Sequence, residues 1–137
     1  MKIARLAISI GASVFCLLPT GAVAESDAAL RSKLVGTWVE LRLVENDRHE
    51  QRMTLARDGT FEVKGVLHEG RTTTPFVWRG KWQVSKGKLV YRTTFSDPAR
   101  IYPVGEAFED AIVSVTDSEW VMIEQSTGNK SRARRVK

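Results

Sequence analysis

The side chains able to do chemistry in this chain are few and poorly spaced for catalysis. Its two histidines, His49 and His68, each stand beside a glutamate, Glu50 and Glu69. Neither pair has the i, i+4 helical spacing at which two side chains share a zinc ion, and no soft ligand lies near them. Both read as exposed turn histidines. Glu106, Glu109 and Asp110 gather three carboxylates, short of the oxygens and spacings that a calcium loop needs. The single cysteine, Cys16, lies in an apolar N-terminal run. No nucleophile elbow, phosphate loop or dinucleotide fingerprint occurs. Catalysis requires a titratable group beside a nucleophile or a metal, so the expectation is a non-enzymatic chain without metal or cofactor.

Residues 1–24 read as a secretory signal: Lys2 and Arg5, an apolar run from Leu6 to Leu18, then Pro19, Gly21 and Ala22-Val23-Ala24 before Glu25. The run is shorter than the about 20 residues that span a bilayer as a helix, so cleavage is expected and an integral membrane protein is not. Ser13-Val14-Phe15 before Cys16 does not resemble the small-residue box that precedes a lipidated cysteine. The expected location is periplasmic or secreted. Residues 25–137 then form one domain, too short for two cores. That domain has no cysteine, so burial alone must stabilise it.

Charge is unevenly spread. Residues 25–129 carry 14 basic and 16 acidic side chains, whereas Lys130, Arg132, Arg134, Arg135 and Lys137 crowd the C-terminus. No basic face runs through the body of the domain, which argues against nucleic acid. The basic tail is either a solvated strand edge or an attractor for acidic lipid headgroups or a polyanion.

The elements that must position these groups are strands. Leu30 and Leu34 share one face of a short helix over Ser26 to Leu34, with Ser26 or Asp27 placed to cap it. Beyond it the apolar residues recur in period two. A first strand covers Val35 to Val44, a second Gln51 to Arg57, and Asp58-Gly59 turns into a third from Thr60. Phe76, Trp78, Trp82 and Val84 alternate in a fourth, with Gly80 marking a bulge or a close backbone approach. After Ser85-Lys86-Gly87, Leu89, Tyr91, Thr93 and Phe95 make a fifth. The irregular stretch Asp97 to Ala107 separates it from Phe108 to Thr116, Trp120 to Gln125 and Lys130 to Val136. Eight sequential short strands favour an all-β, antiparallel up-and-down barrel, which closes its own edges.

Lys33-Leu34-Val35-Gly36-Thr37-Trp38 at the head of this meander resembles the Gly-x-Trp signature of lipocalins and fatty-acid-binding proteins, with Gly36 and Trp38 in the defining positions. Gly80-Lys81-Trp82 followed by Gly87-Lys88-Leu89 is similar to a hairpin of bacterial lipocalin-like domains. Val39 departs from the family, which prefers an aromatic or Arg there, and a trailing helix is missing. The resemblance implies that Trp38 packs at the closed end of a barrel under an Arg from the last strand, with Arg132, Arg134 or Arg135 as candidates. A guanidinium over an indole gains cation–π attraction. It also implies that Arg132 and Arg134 could pair a ligand carboxylate.

The facing of the first strand stays open. Alternation puts Val39, Leu41 and Leu43 inward, whereas an inward Trp38 carries Glu40 and Arg42 with it. Inward charges would have to be paired or bound to ligand. The expectation is a monomeric extracytoplasmic barrel holding a small apolar or amphipathic molecule among Phe61, Val63, Phe76, Trp78, Trp82, Tyr91 and Val113. Its polar contacts would come from Arg132, Arg134, Glu40 and Arg42. A barrel filled by its own side chains is the alternative. It would bind a protein partner through residues 97–107, where Arg100, Ile101 and Tyr102 are of hot-spot type.

Overall fold

The computed structural model describes residues 24–44, 47–125 and 127–137; the side chains of 42–44 and 47 also fall outside the described set. A helix, α1 (Asp27–Leu34), precedes eight strands: β1 (Gly36–Val44), β2 (Asp47–Leu55), β3 (Thr60–Glu69), β4 (Thr72–Ser85), β5 (Lys88–Asp97), β6 (Ala107–Val115), β7 (Glu119–Glu124) and β8 (Lys130–Arg135). They pair antiparallel in chain order and close as a barrel, β8 meeting β1 through Trp38 opposite Arg135 and Glu40 opposite Ala133. Closure leaves every strand with a neighbour on both sides. Among the described residues no helix is long and apolar enough to cross a membrane.

Helix α1 starts where Ser26 accepts a hydrogen bond from the Ala29 amide at 3.1 Å, satisfying one free N–H of the first turn. Asp27 is left to serve a distant turn: its carboxylate accepts the Lys86 and Gly87 amides at 2.8 and 2.9 Å. This ties the helix to the β4–β5 hairpin, so that Leu30 and Leu34 close one end of the barrel. Among the described residues, every member of the core cluster lies between Leu30 and Ala133.

Three strand faces differ from simple alternation. In β1, Trp38 and Glu40 point inward, whereas Val39 and Leu41 are 44% and 51% exposed. The reason is the neighbourhood of Gly36: the Trp38 indole is held inside by its Nε1 donating to the Leu34 carbonyl at 2.8 Å. Once Trp38 is inside, Glu40 must follow. Glu40 is satisfied there by Gln51 Nε2 and Ser131 Oγ, each at 2.9 Å, which removes much of the penalty of burying it. In β5, Phe95 was expected to continue the inward row but is exposed. The register jumps from Arg79 opposite Phe95 to Gly80 opposite Thr93, so Thr94 is an extra residue that reverses the phase. Val113 of β6, expected inside, is exposed for the same reason: Ile112 faces Met122 and Ser114 faces Val121, leaving Val113 as the bulge.

Gly80 fulfils both readings of its position. The bulge lies beside it, and a Cβ there would fall on the Arg92 carbonyl and 2.8 Å from the Phe61 ring. Neither histidine occupies a turn. His49 lies in β2 and His68 in β3, both half-buried, because these strands run further toward the open end than their apolar patterns suggest.

Candidate functional site

The helix-capped end is packed with large side chains. Trp120 meets Trp38 edge-on at 5.9 Å between ring centres, and Arg135 lies over the other side of Trp38 at 4.1 Å. Of the three candidate arginines, Arg135 is therefore the one that covers the tryptophan. Its guanidinium also donates to the carbonyls of Val35 at 2.8 Å, Asp117 at 2.9 Å and Lys33. Gly36 makes this possible: it adopts φ +137°, and a Cβ there would overlap Arg135 Nη1. The Gly-x-Trp signature is thus a local packing unit of glycine, indole and guanidinium. Trp82 belongs to the same end, its Nε1 donating to the Ala56 carbonyl at 3.0 Å and its ring facing the Arg31 guanidinium at 4.6 Å.

The opposite end is open and holds a pocket of about 360 Å³ bordered by Trp78, Tyr91, Tyr102, Phe108, Asp110 and Glu124. Tyr102 reaches it from the segment between β5 and β6. Its ring lies parallel on Trp78, 3.9 Å away and 6° from coplanar, while Phe108 meets Trp78 edge-on at 5.6 Å. Phe76 and His49 support Tyr102 from behind at 5.8 and 6.5 Å between ring centres, and the Tyr102 hydroxyl stands 3.4 Å from His49 Nδ1. The segment is anchored across the mouth by Arg100, whose Nη1 and Nη2 donate to the two Glu69 carboxylate oxygens at 3.2 and 3.0 Å. This grip holds the Glu69 carboxyl below its usual range, and Glu69 in turn raises Arg100. Backbone bonds between Gly105 N and Thr93 O at 2.9 Å and between Thr93 N and Glu106 O at 3.0 Å fix the return.

The polar floor of the pocket is acidic. Asp110 and Glu124 face each other across β6 and β7 and are 3% and 6% exposed. The Tyr91 hydroxyl donates to Asp110 Oδ2, and Thr127 donates to Glu124 Oε2 at 3.1 Å. Deeper in, Phe61 touches both Trp78 and Tyr91 edge-on at 4.9 and 5.8 Å, and Trp78 Nε1 donates to Thr93 Oγ1 at 2.7 Å. Aromatic walls with a few convergent polar atoms are the ordinary make-up of a small-molecule site. Carboxylates on the floor oppose a ligand carboxylate and accept from ligand N–H or O–H donors.

Of the residues expected to bind ligand, Trp78 and Tyr91 line this pocket, Phe61 and Phe76 back it, and Trp82 is at the far end. Glu40 is inside but engaged with Gln51 and Ser131. The Arg42 side chain lies outside the described residues. Arg132 and Arg134 point away from the interior: Arg132 pairs with Glu119 at 3.0 Å, and both line a groove on the barrel exterior. Their outward facing follows from Ala133, which must be inside against Trp120 and Glu40. Tyr102, Phe108, Asp110 and Glu124 were not singled out as ligand contacts. The one available signal was period two through Phe108 and Asp110. Of Arg100, Ile101 and Tyr102, expected at a protein-binding tip, Arg100 pairs with Glu69, Ile101 is half-buried against the core and Tyr102 stacks on Trp78. Among the described residues no three His, Cys, Asp or Glu side chains converge as a metal site. No protein-family model matches this chain, and no characterised protein matches it in sequence. What the geometry establishes is a closed, eight-stranded antiparallel barrel, consistent with a lipocalin-like fold, with a pocket at the end opposite the helix.

Proposed function

We propose that this chain is an exported, non-enzymatic lipocalin-like carrier that holds a small amphipathic molecule in the mouth of its barrel. The mouth pocket carries the reading: about 360 Å³ walled by Trp78, Tyr102 and Phe108 above Asp110 and Glu124. That volume is within the range of small-ligand sites, which begin at about 300 Å³. The acidic floor favours a ligand whose polar end is an alcohol or amine over a fatty acid. The arginines that would have paired a carboxylate are on the outside. Export rests on Lys2, Arg5 and the apolar run that follows.

The test is titration of the tryptophan emission of residues 25–137 with octanol, octylamine and octanoate. A saturable change with octanol or octylamine, weaker with octanoate and abolished in Trp78→Phe, is expected. If all three ligands leave the emission unchanged up to their solubility or micelle limits, the carrier reading fails. A stronger response to octanoate would refute the acidic-floor argument.

A further inference from the structure

The exterior of β1, β2, β3 and β8 carries a groove of about 850 Å³ that is both apolar and cationic. Val39 and Leu41 form its floor, displaced outward because Trp38 and Glu40 took the interior. Register places basic side chains on both sides of them. Val39 is opposite Arg134 on β8 and Arg52 on β2, and Arg52 is in turn opposite Lys64 on β3. Arg132 is two residues from Arg134 on the same outward face. Arg52 and Arg134 make no ion pair among the described residues, whereas Lys64 and Arg132 are held by Glu62 and Glu119. Of the three acids that line the groove, Glu119 is paired with Arg132, Glu50 with Arg48 and His68, and Glu40 is turned inward to Gln51 and Ser131. Five positive charges fall in the last eight residues, against a net negative body, and three of them, Arg132, Arg134 and Arg135, line this groove.

We propose that this face docks on an anionic lipid bilayer, the arginines and Lys64 meeting headgroup phosphates while Val39 and Leu41 enter the interfacial layer. Aliphatic side chains bracketed by Arg and Lys, whose stems are themselves apolar, match the boundary between headgroups and acyl chains. A nucleic acid is a poorer match, since base stacking calls for aromatics and none lines this groove. An acidic protein would satisfy the charges but has no need of the exposed aliphatic pair. The inference does not depend on the mouth pocket, which opens elsewhere on the barrel.

Flotation of residues 25–137 with vesicles decides the matter, because these residues hold the core cluster of the described residues and leave out the apolar N-terminal run, which could itself bind lipid. Binding to phosphatidylcholine vesicles containing phosphatidylglycerol, little binding to pure phosphatidylcholine, and weakening with added salt are expected. Arg52→Glu with Arg134→Glu should lower the partition at least roughly thirtyfold, from the attraction of each basic side chain to an anionic surface. Leu41→Gln should lower it severalfold. Arg71→Glu with Lys81→Glu, an equal charge change on the β4 side, should retain most of it. Each variant is checked for a native melting transition, and Arg52→Gln with Arg134→Gln replaces the first pair if that one fails to fold. Equal binding to both vesicle types, or equal losses in the two charge-reversal pairs, would overturn the proposal. So would polyglutamate binding as tight as the vesicles together with an inert Leu41→Gln, which would mark an acidic polymer as the occupant.

Discussion

Replacing Tyr102 with alanine tests whether the segment between β5 and β6 acts as a cover on the mouth. The ring stacks on Trp78 at 3.9 Å and meets Phe76 and Phe108 at 5.8 Å. Truncating a fully buried aromatic costs about 3–5 kcal/mol. Tyr102 is half-buried, and aromatic pairs contribute about 0.5–1.5 kcal/mol beyond burial, so roughly 2 kcal/mol is expected. In a domain of this size that lowers Tm by about 8 °C. The unfolding midpoint from far-UV circular dichroism reads the loss, and tryptophan emission should shift to the red as Trp78 meets water. With the mouth uncovered, association of octanol should be faster. Tyr102→Phe is the control: the hydroxyl contact to His49 is long, at 3.4 Å, so it should cost under about 0.5 kcal/mol. A stability loss for Tyr102→Ala below about 0.5 kcal/mol with unshifted emission would refute the cover. A Tyr102→Phe cost as large as that of Tyr102→Ala would show that the hydroxyl, and not the stack, holds the segment.

The remaining predictions concern the supports of the barrel. Arg135→Lys keeps the charge over Trp38 but loses the fork that serves three carbonyls; urea unfolding should show a loss of about 1–2 kcal/mol, and a neutral result would mean that charge alone suffices. Gly80→Ala drives a methyl into the Arg92 carbonyl and the Phe61 ring and should cost at least about 2 kcal/mol by the same measurement, while a wild-type melt would contradict the close approach. The Arg100–Glu69 anchor makes the cover pH-dependent. Because Arg100 lowers the folded carboxyl of Glu69, the anchor is fully present above the ordinary glutamate value of about 4.5. It is lost as pH falls from there through the lower folded value. Trp78 emission followed from neutral to acid pH should show this release, and Glu69→Gln should remove it; an unchanged acid transition in Glu69→Gln would assign the release to other carboxyls.

The fold was legible because its determinants are local. Period-two alternation, the Asp58-Gly59 turn and the Ser26 cap act over a few residues, and the eight strands fall within a few residues of where those signals put them. Gly36 and Trp38 were readable as a pair, although which arginine completes them was not. Arg132, Arg134 and Arg135 sit together in sequence, and only the closure of β8 on β1 decides that Ala133 is inside and Arg135 reaches the indole. The same closure settled β1. Hydropathy alone favoured Val39 and Leu41 for the interior, but the hydrogen bond from Trp38 to Leu34 and the partners of Glu40 on β2 and β8 outweighed it.

The mouth pocket depended still more on tertiary structure. Two single-residue bulges, at Thr94 and Val113, reversed strand phase; Gly80 signalled the first without showing which residue of β5 is extra, and no glycine marks the second. Tyr102 comes from irregular chain, where periodicity says nothing about direction. Asp110 and Glu124 are 14 residues apart and meet only because β6 and β7 pair in that register. The amino-acid order alone therefore determined that the chain must be a meander of strands around an apolar centre, since that follows from neighbours along the backbone. Which end is filled, which end can hold a ligand and which charges face outward were decided by contacts between distant strands, where the burial of one side chain dictates the direction of the next.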